Sequence, residues 1–522
     1  MSLLANSKMT TIKDELCAEL DRRVTDKILE PTNAQLLKKL ISQADSDNEA
    51  IMIAELGTTY KRTGLHFDKR LEKMTNEIHY FRKDSSLSFH TDDNKPTHKL
   101  IIGDNYEALQ NLLIQYRGKI DVIYIDPPYG KDSMGEFAQT NYENAITRDN
   151  LLSMLYPRLT LAKQLLSDEG VIFCSIDDKN QAYVKCLFDE VFGEVNFIAN
   201  IIWERAYSPI SLKKHFSESH DYVLCYAKSI DDCNCNGLER TNEANERYSN
   251  PDNDPRGVWK AADCSVGPAI QEKIYEIELP SGRKVLPSRG RCWVYTKSRF
   301  AEMVSDNRIW FGPEGNSVPS VKKFLSEVKQ GLTPMTIWKY TEVGHSQSAT
   351  KDLKTIFGDS FVFPYPKPIG LIGRLVALYS KEDSIILDFF AGSGSTGHAV
   401  LDLNEKDGGN RTFILCQLNE KTDTTPNGIA YDVTSKRLKR IMTGECYDGT
   451  KDFEWAKKNK PYGGNLDVYE IGHVANFEAS EGNTPFDVID ETLYGQDKFK
   501  TLKEKIDWVC QHFRNTQKTM KE

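Results

Sequence analysis

The chain predicts an α/β fold: a parallel sheet with helices between its strands and a second domain inserted part-way along. Three observations carry this. The runs HKLII (98–102), IDVIYI (120–125), VIFCSI (171–176), SIILDF (384–389) and RTFILCQL (411–418) are short and mostly β-branched or aromatic, as strands buried on both faces are. Segments of helical character separate them, at 106–116, 148–166, 180–192, 369–379 and 433–442, and strands alternating with helices at this spacing mean a parallel sheet. Between 204 and 356 the alternation fails. That stretch is rich in Asn, Asp, Gly and Pro (Asn250-Pro251-Asp252-Asn253-Asp254-Pro255) and holds short β-like runs such as KIYEIEL and CWVYT, so it reads as an insert.

Taken in order, residues 1–97 are polar and charge-rich. Leu16 and Leu20, then Leu36, Leu37, Leu40 and Ile41, recur at helical spacing, and no proline falls between 32 and 94, which predicts a helical N-terminal arm. Lys69, Arg70, Lys73 and Arg82 read as a solvated basic face. Residues 98–203 hold the first half of the sheet. Its helix at 148–166 contains Pro157, which should kink it, and its loop 131–146 is long, polar and carries Gly135, as a lid does. The insert spans 204–356, the second half of the sheet 357–445, and a mixed C-terminal region 446–522, ending in an amphipathic helix around 499–513.

With 522 residues, 39% hydrophobic and 27% charged, the chain holds several domain-sized units and ample core material. Of its eleven cysteines, Cys174 and Cys416 sit inside apolar runs. Cys233-Asn234-Cys235 has the wrong spacing for a zinc pair and no C-x-x-C occurs, so reduced thiols and no metal site are expected. No apolar run approaches the ~18 residues of a membrane span. The N-terminus carries no basic stretch followed by an apolar one, which predicts a cytosolic protein. A net charge of −9 excludes a generally basic coat for nucleic acid but leaves room for a local patch. Residues 281–300 supply one: Arg283, Lys284, Arg289, Arg291, Lys297 and Arg299, with no acidic residue and with Trp293, Tyr295 and Phe300 interleaved, a surface suited to a polyanion.

Two turns carry the chemistry. At Asp126-Pro127-Pro128-Tyr129 the prolines forbid both a continued ladder and an immediate helix, so a carboxylate and an aromatic ring are held rigidly at the end of a buried strand. That edge is where open α/β sheets place ligands. At Gly392-Ser393-Gly394-Ser395-Thr396-Gly397 a glycine-rich turn opens a helix, so that backbone N–H groups can approach a nucleotide. Glu420 follows 23 residues past Gly397 (420 − 397), suited to ribose hydroxyls. Alone, this turn reads as binding NAD. The preceding Asp388-Phe389-Phe390-Ala391 and the upstream Asp126 turn argue against that.

DPPY together with FAGSG resembles the amino-group DNA methyltransferases that use S-adenosylmethionine. The order, DPPY first, then an insert, then the F-x-G-x-G turn, resembles their β class, a circularly permuted Rossmann-like methyltransferase fold. KLIIGDNYEAL, SHDYVLCYAKS (219–229), RIWFGPEGNSVPSVKKFLSEVKQG (308–331) and YPKPIGLIGRLV (365–376) further resemble the modification (Mod) subunits of type III restriction systems, over roughly residues 98–445.

The resemblance implies an adenine N6-methyltransferase acting on duplex DNA in a bacterial or archaeal cytosol. It makes the insert a target-recognition domain, the assembly a homodimer, and a restriction nuclease/helicase subunit a further partner. Asp126 and the Pro127 carbonyl would accept hydrogen bonds from the target amine, whose lone pair is otherwise delocalised, and turn it toward the methyl donor. Pro127 and Pro128 would keep that geometry rigid, and Tyr129 would stack on a base flipped out of the duplex. Asp388, Phe390, Ala391, Gly392, Ser393 and Gly394 would surround the methionine part of the cofactor, Glu420 its ribose and Asp104 its adenine. Lys367 and Pro368 would close the methionine pocket. Packing remains an alternative for Phe390, and helix capping for Asp104. Cytosine N4 methylation, or a subunit mainly devoted to DNA recognition, are the rival readings.

Overall fold

The computed structural model describes residues 11–25, 29, 31–56, 77–129, 147–209, 214–238, 245–327, 331–358, 362–475 and 484–515. It divides into two compact units, Met1–Lys69 with Asn144–Ser153, and Arg70–Glu143 with Met154–Glu522. In the first, helices α1 (Ile12–Thr25), α2 (Pro31–Gln43) and α3 (Asp47–Leu56) pack through Leu20, Ile41, Ala44, Ala50 and Ala54. Lys13 donates to the Ala44 carbonyl just past the end of α2 at 2.6 Å, a cation at the negative end of a helix.

The second unit is built on one eleven-stranded sheet. Its strands are β1 (Glu77–Lys83), β2 (Phe89–His90), β3 (Thr97–Ile102), β4 (Ile120–Ile125), β5 (Leu166–Ile176), β6 (Phe197–Glu204), β7 (His220–Ala227), β8 (Ile337–Trp338), β9 (Ile385–Asp388), β10 (Thr412–Gln417) and β11 (Asn465–Ala475). Their order is β1-β11-β3-β10-β9-β4-β5-β7-β6-β8, with β2 on β11. From β11 to β5 every neighbour is parallel; β7 runs against both β5 and β6, and β1 runs against β11. Helices α4 (Asn105–Tyr116), α5 (Thr147–Leu165), α6 (Gln181–Phe192), α7 (Lys297–Ser305), α8 (Ser346–Phe357), α9 (Ile369–Tyr379), α10 (Ser395–Asp407), α11 (Lys436–Thr443) and α12 (Leu502–Asn515) complete the frame. Proline 157 lies inside α5 without ending it.

The arrangement of β9 and β4 positions the site. They are adjacent and parallel, but β9 connects through α10 to β10 on one side while β4 connects through α5 to β5 on the other. Their carboxyl ends therefore diverge into a crevice, the topological switch point of an open α/β sheet. Asp121 ties three strands beneath it: its Oδ2 accepts from the Ile385 N–H at 2.9 Å and its Oδ1 from the Ser167 hydroxyl at 3.3 Å.

Three segment boundaries differ from those the sequence predicts. Residues 77–90 are strands of the sheet, not part of a helical arm. The buried Ile78 and Phe81 stand three apart, a spacing that also suits a helix, because both faces of β1 are covered. Residues 446–522 are no appended tail, since β11 lies between β1 and β3. Tyr494 beyond it accepts from the Phe81 N–H at 2.8 Å and donates to Asn111 Oδ1 at 2.8 Å. The insert is also shorter than 204–356, because the sheet claims β7 and β8. Its two crossings meet where Leu238 and Leu332 exchange backbone hydrogen bonds of 2.8 and 2.7 Å. Beyond that neck, the strands Trp259–Asp263, Ile309–Trp310 and Ser320–Phe324 form a small antiparallel sheet. Cys264, Leu279, Trp293, Phe300 and Val321 fill a separate core there. None of the eleven cysteines is in a disulfide. Among the described residues no helix is long and apolar enough to cross a membrane.

Candidate active site

At the end of β4, Ile125 is fully buried and Pro127 is buried behind it, so the chain turns out of the sheet with Asp126 facing the crevice. Lys367, in the extended segment ahead of α9, places its ammonium 2.7 Å from Asp126 Oδ1 and 2.8 Å from the Tyr129 hydroxyl oxygen. The Tyr129 hydroxyl donates to the same Asp126 oxygen. The Lys367 ammonium also sits 4.9 Å from the centroid of the Tyr129 ring. Asn180, at the start of α6, donates to the Tyr129 carbonyl at 2.6 Å and pins the turn from the other side. Burial, then the Asp126 charge, pushes the Tyr129 hydroxyl well above the ordinary phenol range, so it stays protonated and donates.

Asp126 is therefore a carboxylate whose Oδ1 already receives two donors, one of them an amine nitrogen. An N–H donor arriving from the crevice would meet the same chemistry. A second carboxylate, Asp221 on β7, lies close enough to feel the Lys367 charge and pairs with Arg205 at 3.1 Å. Burial raises Asp221 above the usual carboxylate range against the pull of those two cations.

Across the crevice, Asp388 ends β9. Its Oδ1 accepts from the Phe390 N–H at 2.9 Å and its Oδ2 from the Thr396 hydroxyl. Burial pushes its carboxyl up to about 7, and the nearby Asp126 charge adds to the effect. The glycine-rich turn is held from behind. Gln417 Oε1 accepts from the Gly392 N–H at 2.6 Å, and the Thr434 hydroxyl donates to the Gly392 carbonyl at 2.6 Å. Gly392 has φ of 51°, and a Cβ there would come within 3.0 Å of Phe363, so only glycine fits the turn against that wall. Arg437, buried at the start of α11, donates to the hydroxyls of Ser393 and Ser395 at 3.0 and 2.9 Å and meets His398 Nδ1 at 3.1 Å. Burial keeps His398 neutral, so it accepts that hydrogen bond and serves as packing.

Asp126, Lys367, Asp388, Phe390, Ala391, Gly392 and Ser393 line one cleft, together with Tyr124, Phe363 and Tyr365. Tyr129 joins it through Asp126, Pro127 and Pro128 lie outside the lining residues, and Gly394 is the N-cap of α10. Asp104 stands outside the lining residues. It caps α4 by accepting from the Tyr106 N–H at 2.7 Å and pairs with the buried Arg158 at 3.2 Å. Its neighbour Asn105 donates to the Phe389 carbonyl at 2.7 Å, which ties that corner to the end of β9. Glu420 lies past the end of β10, half-buried and likewise outside the lining. The expected lid, 131–146, falls outside the described residues.

Two placements add to the expectation. Lys367 lines the same cleft as the Asp388–Ser393 turn and reaches across it to the Asp126 carboxylate. Tyr129 is engaged with Asp126 and Lys367, so its ring is covered by a cation in this state. Arg205, Asp221, Asn180, Arg158, Thr434 and Arg437 carry no role in the sequence pattern; of these only Asp221, within SHDYVLCYAKS, lies in a stretch singled out there, and Thr396, in the glycine-rich turn, proves to be a donor to Asp388.

Half of the six basic residues in the insert's stretch lie against acids. Lys284 pairs with Glu276 at 3.0 Å and Arg299 with Glu302 at 2.6 Å. Arg291 lies 3.7 Å from Asp263 and donates to Ser265, and Arg283 donates to the Asn316 carbonyl at 2.8 Å. Trp293 and Phe300 are buried in the insert's core, so they are not a stacking surface. The reason is local: strand alternation and the α7 face turn these rings inward, and neighbouring elements supply the acids that 281–300 lacks. Arg289 and Lys297 stay exposed.

A carboxylate turn and a glycine-rich turn facing each other across the switch point of such a sheet define an α/β group-transfer site of the methyltransferase kind. The family comparison agrees. The family described as DNA methylase (N6/N4 methyltransferase) matches residues 120–424, more than half of the chain, and the protein belongs to it. An uncharacterised conserved family matches residues 17–122. The chain is 30% identical over 434 residues to the type III restriction-modification enzyme StyLTI Mod subunit of Salmonella typhimurium, covering 74% of this chain and 64% of that one. It is 31% identical over 420 residues to the EcoPI Mod subunit of Escherichia phage P1, covering 67% and 63%. To the type II methyltransferase M.KpnI of Klebsiella pneumoniae it is 31% identical over 407 residues, covering 69% and 89%. The chain thus spans just under two thirds of the length of the StyLTI and EcoPI Mod subunits.

Proposed function

We propose that this chain methylates adenine N6 at a specific site in duplex DNA, with S-adenosylmethionine as donor, as the modification subunit of a type III-like restriction system. The observation that carries the reading is the meeting of Asp126 and the Asp388–Ser393 turn in one cleft, with an amine nitrogen already bound at Asp126 Oδ1. The cleft fits the cofactor chemically: Asp388 is a buried carboxylate suited to an ammonium, Phe390 offers an apolar face, and Gly392 leaves the backbone bare. Asp388, Phe390, Ala391, Gly392, Ser393 and Gly394 would hold the methionine part, and Asp104 and Glu420 would meet the rest of the cofactor. When bound, the cofactor supplies a methyl group on a sulfonium, so no nucleophilic side chain is required.

The protein's own task is orientation. Asp126 and the Pro127 carbonyl accept from the two N–H bonds of the target amine, favouring a tetrahedral nitrogen whose lone pair faces the donor. For that, Lys367 and the Tyr129 hydroxyl must release Oδ1. Asp221 offers Lys367 an alternative carboxylate, and the freed Tyr129 ring covers the flipped base. Asp at the head of the motif favours adenine over cytosine N4. Arg289 and Lys297 are the patch residues free to meet phosphate, and Arg283, Lys284, Arg291 and Arg299 would have to exchange their present partners first.

Homodimerisation, a restriction subunit as partner and action in the cytosol belong to the same proposal. Incubation of the purified chain with duplex DNA and S-adenosylmethionine labelled in the methyl group tests it. Label in N6-methyladenine supports the reading, label in N4-methylcytosine supports its rival, and unlabelled DNA refutes both. Sedimentation of the same preparation tests the dimer.

A further inference from the structure

Far along the sheet from Asp126, three residues from three elements converge. His79 on β1 and His473 on β11 are direct cross-strand partners, with ring centroids 4.7 Å apart in an edge-to-face arrangement. Glu107, in the first turn of α4, reaches both: its Oε1 lies 3.2 Å from His79 Nδ1 and its Oε2 3.8 Å from His473 Nε2. One ligand atom from each residue falls within 4.8 Å of the others. Tetrahedral zinc with bonds of 2.0–2.1 Å holds its donor atoms about 3.3–3.4 Å apart, so only small side-chain rotations separate this arrangement from a coordinating one.

A second feature points the same way. Glu77 Oε2 lies 3.6 Å from His473 Nδ1, and Glu77 sits on the same face of β1 as His79 because strand residues alternate. An anion beside Nδ1 favours the proton on that nitrogen and the lone pair on Nε2, the atom facing Glu107. This is how metal-bound histidines are commonly oriented. The side chains of His79 and Glu107 are largely shielded, at 15% and 22% exposure, while His473 at 46% leaves a way in from solvent.

We propose that His79, Glu107 and His473 bind a divalent transition metal of the zinc type, with water completing the coordination. A two-His, one-carboxylate donor set is borderline in softness, which favours zinc over calcium or magnesium. The metal would clip the chain's first and last sheet strands to α4, the helix whose N-cap is Asp104. No sequence motif announces the site, because its residues lie 28 and 366 positions apart (107 − 79 and 473 − 107).

The test uses the full chain, stripped with a chelator and titrated with zinc chloride while bound metal and thermal unfolding are followed. One equivalent should bind at micromolar affinity or better and raise the midpoint by several degrees, as binding to the native state alone requires. His473→Gln lies at an exposed position and should fold as wild type in chelator, yet lose at least about tenfold in affinity together with the thermal shift. His79→Gln should do the same, and X-ray absorption of the zinc-loaded protein should show only nitrogen and oxygen neighbours. Absence of stoichiometric binding, unchanged affinity in both variants, or sulfur around the zinc from the chain's cysteines would each overturn the proposal.

Discussion

Two lysine–carboxylate networks in this molecule use the same groups to opposite ends. In the insert, Lys322 is completely buried between Asp252 and Asp254, over the rings of Trp259 and Trp310. Asp254 is closed off as well, and hydrogen bonds, chiefly from Arg256, hold its carboxyl far below the usual range. At the sheet's switch point, Lys367 meets Asp126 at the wall of a cleft, with Asp126 a quarter exposed and a second carboxylate within reach of the lysine's field. The first network is shut and can only stabilise. The second is open on one side, so its hydrogen bonds can be exchanged for those of a ligand. Charge, residue type and distance are nearly the same in both; access separates structure from chemistry.

The contrast can be broken most sharply at the acids. Asp126→Ala should cut methyl transfer by at least about 10³-fold, as loss of a preorganised charge partner does, while cofactor binding and the unfolding midpoint stay near wild type. Retention of activity would remove Asp126 from the chemistry. The next test makes one substitution at both lysines. Lys322→Met takes a charged donor from Asp252 and leaves the buried Asp254 to Arg256 and Asn307, and should cost about 2–3 kcal/mol in a denaturant titration. Lys367→Met, beside an accessible carboxylate, should cost about 1 kcal/mol or less and act instead on kcat. Equal losses of stability at the two positions would erase the distinction.

A smaller effect is expected at Asp388. Its carboxyl titrates at about 7 in the folded chain and near its ordinary value when unfolded, so the native state holds a proton that the unfolded chain gives up between those limits. The stability contributed by that protonated form is fully present at low pH and is lost as pH rises toward and through 7. Asp388→Asn, which imitates the protonated form, should therefore gain on wild type in thermal midpoint from pH 4 to pH 8 while weakening binding of S-adenosylmethionine. A constant offset across pH would show that Asp388 is not held protonated. The mildest change is predicted for Arg289→Glu with Lys297→Glu, which should weaken DNA binding several-fold and flatten its salt dependence. Unchanged binding would leave both residues as ordinary surface charge.

How much of this was legible in the chain depends on whether a feature is contiguous. The two turns were, because Asp126-Pro127-Pro128-Tyr129 and the Asp388–Gly397 run each contain both a strand end and the residues that turn it. The flanking strands β1 and β11 were not: Ile78 and Phe81 face opposite sides of an edge strand and imitate a helix spacing. In the insert, counting charges along 281–300 missed that Glu276, Asp263 and Glu302 would lie against them, and that Trp293 and Phe300 would turn inward. For Lys367 the sequence offers a segment but no partner, since nothing local in YPKP shows that it reaches a carboxylate 241 residues earlier (367 − 126). Arg158, Gln417 and Arg437, which brace the site from behind, act through contacts between distant segments and leave no pattern of their own.

The most direct test of the account is single-molecule sequencing of DNA from cells expressing either the wild-type chain or Asp126→Ala. The account predicts N6-methyladenine at one short sequence motif with the wild-type chain and none with the variant. Unmodified DNA from the wild-type cells, methylation of a base other than adenine, or a motif that stays methylated when Asp126 is gone would contradict it.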